Sequence, residues 1–199
     1  MSHHPLHQSG LVSVIANSLL VQNSAPDGSA FAGYGTKFIN DTIAGNSGPA
    51  ISMHSISLIP PRIPGQASTI TNSIVANNSG GNCRRKKPGA PLLIEGSNIA
   101  YPADGSCPSG FYIADPQLDS LFVPLPMSPA FGAGDNKVCE TTPIDAKDFF
   151  GLPRPQASRC TLGAVEGELD EIVYRRRWLK REVPGGWDWA KLFGKSCCL

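Results

Sequence analysis

The phrase Asn17-Ser-Leu-Leu-Val-Gln-Asn23 returns twice in altered form, as Asn40-Asp-Thr-Ile-Ala-Gly-Asn46 and as Asn72-Ser-Ile-Val-Ala-Asn-Asn78. The copies begin at positions 17, 40 and 72, so the second interval is longer than the first. Repeats near this length that contain short strands and no helices are typical of solenoids with one coil per repeat. We expect the extra residues to form a loop, because Pro60-Pro-Arg-Ile-Pro-Gly65 falls within the longer interval.

The asparagines at the ends of these phrases suit sharp bends between strands. Asparagine tolerates the left-handed backbone region, and its side chain can bond nearby backbone groups. If the coils stack in parallel, equivalent asparagines lie roughly 4.8 Å apart, and their amides can hydrogen-bond along the stack. The asparagines that close the three phrases are Asn23, Asn46 and Asn78. We therefore predict an asparagine ladder at this bend, with one member per coil.

The run between the bends has an apolar residue at its middle position in every copy. That residue is Leu20, Ile43 and Val75 in turn, and we place the three in one inward-facing column. The positions on either side are mixed, so their facing stays open. Asn-Ser and Asn-Gly turns also arise by chance in polar β proteins, but three copies with matching interiors favour a true repeat. The predicted fold class is all-β, a parallel β-helix (solenoid) with an irregular C-terminal segment and a short terminal helix.

The chain divides by pattern into four parts. We predict a disordered N-terminus over 1–10, β-helix coils over 11–100, an irregular disulfide-linked segment over 101–166 and a helical, basic tail over 167–199. Leu92–Ala100 looks like a degenerate last coil, with Asn98 as a fourth bend asparagine. Apolar residues at positions 169, 172, 173 and 179 suit an amphipathic helix over 169–182. Because nothing resembling an entry cap precedes the first repeat, we expect further N-terminal coils in a longer chain.

Composition narrows the functional class. The formal net charge is +1, which offers no overall field to attract nucleic acid, so no nucleic-acid partner is expected. No apolar run approaches the roughly 20 residues needed to cross a bilayer, so we predict no transmembrane segment. The first ten residues lack the basic start and apolar core of a secretion signal.

The cysteines point to a compartment. The chain has six of them, and none forms a C-x-x-C pair, so zinc and thioredoxin-type chemistry are not indicated. Four lie in Gly- and Pro-rich surroundings, where cysteines in an oxidising compartment usually pair. Nearest-neighbour pairing predicts the disulfides Cys83–Cys107 and Cys139–Cys160. The alternative is free thiols in a cytosolic protein.

A family resemblance lies toward the C-terminal end. The chain reads Ser128-Pro-Ala-Phe-Gly-Ala-Gly-Asp-Asn136, then Cys139, then Asp148-Phe-Phe-Gly-Leu-Pro-Arg-Pro-Gln156, then Cys160-Thr-Leu-Gly-Ala-Val-Glu166. This order resembles the closing segment of bacterial secreted right-handed parallel β-helix proteins of the choice-of-anchor Q type. The resemblance covers most of residues 11–166. It implies a right-handed, pectate-lyase-like β-helix at an extracellular or cell-surface location.

Three details qualify that resemblance. Phe131-Gly132 stands where the family has Ile-Asp, and Thr161 stands where it has Asp, so any role of those carboxylates is missing here. Arg154, between two prolines, is similar to a fixed structural arginine of the family. The resemblance implies that it pairs with a carboxylate such as Glu166.

Enzymes of this fold need carboxylates that converge on one face. The coil region contains Asp27, Asp41 and Glu95, which do not recur at coil spacing, so catalytic residues stay unknown. We interpret Asp41 as a solvated or turn-bonding residue. No cofactor or metal site is predicted, and calcium is expected only if the protein is a lyase. The loop aspartates are interpreted as Asx turns, and they are Asp115, Asp135, Asp145 and Asp148.

Other polar groups also have plain interpretations. We interpret Arg84-Arg-Lys-Lys87 as a solvated loop beside a disulfide, with contact to an acidic glycan as the minority interpretation. His54 is expected to pack or to face solvent. The basic tail helix is expected to cap the solenoid, with a membrane surface or a partner protein as the alternative.

These observations favour an extracellular or cell-surface protein with a binding or structural, adhesin-like role. Its expected partner is a polysaccharide or cell-surface glycan that lies along the stacked strands. The first alternative is a carbohydrate-active enzyme, either a polysaccharide lyase or a glycoside hydrolase. The second is a non-functional fragment of a longer protein. A carboxylate cluster on one outer face of the coils would separate the enzyme from the binding protein.

Overall fold

The computed structural model describes residues 12–54, 66–85, 89–156 and 158–166. Within these ranges the chain forms twelve short strands and one short helix, which confirms the predicted all-β class. The first six strands are β1 (Ser13–Ala16), β2 (Leu19–Val21), β3 (Phe31–Gly33), β4 (Thr36–Ile39), β5 (Thr42–Ala44) and β6 (Ile51–Met53). The remaining elements are β7 (Ser68–Thr71), β8 (Ile74–Ala76), β9 (Cys83–Arg85), β10 (Leu92–Ile94), β11 (Ile99–Tyr101), β12 (Tyr112–Ile113) and α1 (Asn136–Glu140).

Some predicted features lie outside the described residues. They are the disordered N-terminus at 1–10, the loop at 60–65 and the helix at 169–182. By its contacts the chain divides into Met1–Gly167 and Glu168–Leu199, and only the first unit contains described residues.

Successive strands enter three parallel sheets in rotation. The first sheet has the order β1-β4-β7-β10, the second β12-β11-β8-β5-β2 and the third β3-β6-β9. We call one passage through the three sheets a circuit: circuit 1 spans 13–33, circuit 2 spans 36–53, circuit 3 spans 68–85 and circuit 4 begins at β10. This connectivity is compatible with a β-helix. Pairing also continues past residue 100, since β12 adds to β11 at the end of the second sheet.

The predicted apolar column is present. Leu20 pairs in register with Ile43, and Ile43 pairs in register with Val75. Ile43 and Val75 are fully buried, and Leu20 packs against the same core, which also contains Phe38 and Ile70. Complete burial of such a side chain stabilises the fold by roughly 1.5–3 kcal/mol. The apolar middle residue of each strand therefore marks the side of the second sheet that faces this core.

The phrase-closing asparagines form a hydrogen-bonded row. The Asn23 side-chain amide donates to Asn46 Oδ1 at 3.1 Å, and the Asn46 amide donates to Asn78 Oδ1 at 2.8 Å. The Asn46 amide also donates to the carbonyl of Leu20 at 2.9 Å. Each asparagine follows a residue with positive φ, because the chain turns sharply here; in circuit 2 that residue is Gly45, at φ 65°.

A second row lies at the opposite end of the short strands. Ser18 N donates to Asp41 Oδ1, Asp41 N donates to Ser73 Oγ, and Ser73 N donates to Asn98 Oδ1. Asn98 therefore occupies the column of Ser73, at the bend that opens the phrase, and does not join the row of Asn23, Asn46 and Asn78. Circuit 4 has one extra residue between its first two strands, since Ile94 pairs with Ile70 whereas Ile99 pairs with Ile74.

Residues 128–166, the terminal segment, cover the outer face of the second sheet. The phrase-opening asparagines have left-handed backbone, and their amides reach this segment: Asn17 donates to the carbonyl of Lys147 and Asn72 to that of Asp135. Ala164 N donates to Thr42 Oγ1 at 3.0 Å. Strands β5 and β8 of the second sheet are therefore buried on both sides, with Thr42 and Ile74 toward the terminal segment, which settles the facing that the sequence left open there.

Gly163 marks the closest crossing of the terminal segment over the second sheet. Its φ is +90°, and a Cβ atom there would lie 2.5 Å from Thr42 Oγ1 and 2.9 Å from Ile74 Cδ1. Only glycine satisfies both the backbone geometry and the contact distance.

Both predicted disulfides are present. Cys83–Cys107 joins β9 to the stretch after β11, with a Cα separation of 4.6 Å. Cys139–Cys160 joins α1 to the end of the terminal segment, with a Cα separation of 6.7 Å. The helix α1 was not predicted; Asp135 caps it by accepting a hydrogen bond from Lys137 N.

Candidate functional site

The outer face of the first sheet carries two rows of side chains. In these strands alternate side chains point inward; in β4, for example, Thr36 and Phe38 are buried while Lys37 is exposed. The first outer row, in register across the sheet, is Val14, Lys37, Thr69 and Leu93. The second outer row is Ala16, Ile39 and Thr71, followed by Glu95 directly after β10. Successive members of a row lie roughly 4.8 Å apart.

A groove of about 190 Å³ lies on this face between the sheet and the terminal segment. The sheet contributes Lys37, Ile39, Thr69, Thr71 and Glu95. The terminal segment contributes Val138, Thr141, Thr142 and Pro143 as one side of the groove. Most side chains that line the groove are therefore polar. They come from two parts of the chain that are far apart in sequence.

Specific contacts fix the terminal-segment side of the groove. Cys139 lies in α1, is fully buried and is bonded to Cys160. The amide of Asn40 donates to Cys139 Sγ at 3.3 Å, and the amide of Asn72 donates to it at 3.4 Å. These bonds hold α1 against circuits 2 and 3, so the groove does not depend on a ligand to form.

The groove offers hydroxyl groups and two opposite charges. Threonine hydroxyls donate and accept hydrogen bonds, which suits a ligand that is itself rich in hydroxyls. Lys37 and Glu95 lie on strands two apart, hence roughly 10 Å from each other along the stack. A ligand that contacts both must be extended along the stacking direction. The arrangement supports binding by several weak polar contacts.

The three coil-region carboxylates lie in separate places. Asp27 accepts a hydrogen bond from Ser52 Oγ at 2.8 Å beside the third sheet, and Asp41 is fully buried at a bend. Glu95 alone lines the groove. Within the described ranges no three His, Cys, Asp or Glu side chains form a group that could hold a metal ion.

Asp41 is buried, and the expectation that it is solvated was wrong; the expectation that it bonds a turn is confirmed. Its two oxygens accept hydrogen bonds from Ser18 N and Ile39 N at 2.9 and 3.0 Å. Burial raises the pKa of Asp41 from 3.8 to about 8, although these two backbone bonds oppose the shift. Asp41 is thus a structural carboxyl with no access to a ligand.

A second buried polar cluster holds the terminal segment together. Arg154 Nε lies 3.2 Å from Glu166 Oε2, which confirms the predicted pair, and both side chains are at most 1% exposed. The Arg154 guanidinium also donates to the carbonyl of Gly163, and Glu166 N donates to Asp148 Oδ2. Burial raises the pKa of Glu166 to about 7 despite the opposing charge of Arg154. The cluster lies away from the surface and has a structural role.

Three of the four loop aspartates form the predicted Asx turns. Asp115 accepts a hydrogen bond from Gln117 N, Asp135 from Lys137 N and Asp148 from Phe150 N, each two residues ahead. Asp145 instead accepts from the hydroxyl of Thr142.

His54 is part of a small polar group on the third sheet. Its Nε2 lies 3.1 Å from Ser52 Oγ and 3.5 Å from Asp27 Oδ2. Both contacts use the same ring nitrogen, whereas a Ser-His-Asp triad uses the two nitrogens separately. The group is therefore not a nucleophilic triad.

Of the groove residues, only Glu95 was named from the sequence. Lys37, Thr69 and Thr71 lie on strands whose burial alternates, but Thr-Lys-Phe-Ile and Ser-Thr-Ile-Thr do not alternate polar and apolar residues, so no clear sequence signal marked them. Thr141 and Thr142 carried no signal either, since they reach the groove only through the packing of the terminal segment.

Neither the structure nor the comparisons with known proteins identify a family for this chain. Among the described residues no helix is long and apolar enough to span a bilayer. A scan against protein-family models, a search of curated proteins and a search of solved structures each found no match.

Proposed function

We propose that this chain is a non-catalytic, extracellular or cell-surface protein that binds an extended glycan along the outer face of the first sheet. Its architecture is a right-handed parallel β-helix of the choice-of-anchor Q type. The rotation of strands through three parallel sheets supports the β-helix, and the motifs over 128–166 support the family.

The groove carries the functional proposal. Threonine hydroxyls from two strands and from the terminal segment line it, and Lys37 and Glu95 lie at different heights along the stack. Sugar units offer hydroxyls in both hydrogen-bonding roles, and the repeat of such units matches a surface that repeats along the stacking direction. The small volume of the groove favours one chain in shallow contact over an enclosed small molecule.

Two observations support the compartment. Both disulfides join parts of the chain more than 20 residues apart, as their sequence separations of 24 and 21 show. Structural disulfides of this kind are typical of oxidising compartments. The resemblance to secreted proteins points the same way.

Affinity electrophoresis of the full chain in gels that contain neutral, acidic or amino polysaccharides tests this function. We expect retardation by at least one polysaccharide. The double variant T69V/T71V removes two hydroxyls at nearly constant volume and should weaken that binding about tenfold or more. K147Q, which removes an exposed charge away from the groove, should bind like the wild type. Retardation that is equal in wild type and T69V/T71V, or absent with every polysaccharide, would refute the proposal.

A parallel activity assay tests the alternative that the protein is an enzyme. Glu95 is the one described coil-region carboxylate that lines the groove. Turnover of an acidic polysaccharide, with or without calcium, that E95Q abolishes would replace the binding function with a lyase or hydrolase. If the folded chain neither binds nor cleaves any glycan, the remaining alternative is a non-functional fragment.

A further inference from the structure

A second cleft lies at the far end of the third sheet. Among the described residues β9 is the last strand of that sheet, while the first sheet continues to β10. The cleft, of about 270 Å³, lies between β9, β10 and residues 106–108. It is separate from the groove on the first sheet, and no residue lines both.

The cleft has an apolar floor. Met53 and Leu92 are 2% and 7% exposed, so the cleft meets core side chains directly. Pro91, Pro108 and the disulfide Cys83–Cys107 complete the apolar surface. Such a floor favours a ligand with an apolar body, because that body replaces water on apolar atoms.

One guanidinium group stands at the edge of this floor. Successive side chains of a strand point to opposite faces. Arg85 pairs in register with the buried Met53 and so lies on the side of the floor. Arg84 instead pairs with Ser52 and lies 3.9 Å from the carboxylate of Asp27 on the other side. Arg85 is exposed and lines the cleft. Its Nε donates to the carbonyl of Gly89 at 3.0 Å, which fixes its direction and leaves its terminal nitrogens for another acceptor.

Ser106, another polar residue that lines the cleft, already has hydrogen-bond partners. Ser106 Oγ donates to Asp104 at 2.6 Å and accepts from Cys83 N at 3.0 Å. Asp104 also accepts from Asn82 N, so backbone and hydroxyl donors surround its carboxylate. Among the described residues that line the cleft, Arg85 is therefore the group that can recognise an oxyanion.

We propose that this cleft binds a small oxyanion carried on an apolar ring. Guanidinium groups recognise carboxylate and sulfate oxygens by paired N–H donors, and the floor takes the ring. The volume lies just below the range of drug-sized pockets, so the ligand is limited to about one ring. This site does not depend on glycan binding by the groove.

Titration of the isotope-labelled full chain, followed by amide NMR, tests the site with four simple probes. Benzoate and phenyl sulfate carry both features, benzyl alcohol lacks the charge, and acetate lacks the ring. We expect saturable shifts at the amides of Arg84, Arg85 and Leu92 with benzoate or phenyl sulfate, at least tenfold tighter than with benzyl alcohol or acetate. Which of the two anions binds more tightly distinguishes a carboxylate ligand from a sulfate ester.

Variants then assign the binding to Arg85. R85Q should weaken benzoate or phenyl sulfate binding at least tenfold, and R85K should fall between it and the wild type because charge remains without the paired donors. R84Q, which removes the same charge from the opposite face of β9, should leave this binding nearly unchanged. The proposal fails if the wild type shows no preference for the ring-bearing anions, which needs no variant to fold. It also fails if a folded R85Q variant binds like the wild type.

Discussion

Replacement of Asp41 by asparagine should change the pH dependence of stability. Asp41 is fully buried between the first and second sheets, where it accepts backbone hydrogen bonds from Ser18 and Ile39. These two hydrogen bonds oppose the effect of burial, but burial is the larger effect and the pKa of Asp41 rises from 3.8 to about 8. Asparagine has nearly the same shape and does not titrate, so D41N isolates the proton.

The direction in which stability changes with pH follows from the two pKa values of Asp41, 3.8 in the unfolded chain and about 8 in the folded protein. Between pH 3.8 and about 8 the folded protein holds a proton on Asp41 that the unfolded chain releases. The contribution of protonated Asp41 to stability is therefore fully present below pH 3.8 and is lost as the pH rises toward about 8. The free energy of unfolding should fall by about 1.4 kcal/mol per pH unit in this window. Between pH 5 and pH 7 that is a loss of about 3 kcal/mol.

The measurement is guanidinium chloride unfolding of wild type and D41N at several pH values, without reductant. At pH 5 we expect D41N to be less stable by about 1 kcal/mol, because its amide nitrogen cannot accept the second backbone bond. As pH rises the difference should shrink, reverse and favour D41N at pH 8. Glu166 and Asp148 also have raised pKa values, but they are present in both proteins and cancel in the difference. A difference that stays constant from pH 5 to pH 8 would refute the reasoning.

Two further predictions concern buried polar groups. N46L should destabilise by about 2 kcal/mol, since it leaves the Leu20 carbonyl and the Asn23 N–H without their buried partner. The matched change N23L, at the exposed end of the same row, should cost under about 1 kcal/mol by the same denaturant assay. Equal losses in the two variants would count against the ladder. R154M should cost about 3–5 kcal/mol, because the buried Glu166 carboxylate loses its counter-ion. R154M/E166Q should recover part of that loss in thermal unfolding, and a double variant as unstable as R154M alone would contradict the charge argument.

Local pattern predicted the repeating part of the fold. The phrase from Asn17 to Asn23 and its two later copies indicated stacked short strands, and Leu20, Ile43 and Val75 proved to lie in register. Pattern indicated that Asn98 lies at a bend but not at which end of the strand, because circuit 4 has an inserted residue. Pattern also left Asp41 open between a solvated and a turn-bonding residue, since an aspartate at an exposed turn and one at a covered bend look alike in sequence.

The groove and the coverage of the second sheet depend on contacts between distant residues. Asn40 meets Cys139 across 99 positions, and Thr42 meets Ala164 across 122 positions. No local period carries such information, so Thr141 and Thr142 could not be assigned to the groove beforehand.

The sequence by itself determined the parallel stacking of short strands and the inward column, because each follows from residue type at repeated spacing. It favoured the two disulfide pairs by nearest-neighbour spacing but left free thiols as an alternative. Only the tertiary structure decided where the terminal segment lies. That placement buries Thr42 and Ile74 on the second sheet, leaves the outer face of the first sheet open and brings α1 beside it. The physical reason is that a repeat specifies how a strand meets its neighbour in the stack, whereas the packing of a non-repeating segment depends on the whole assembled surface.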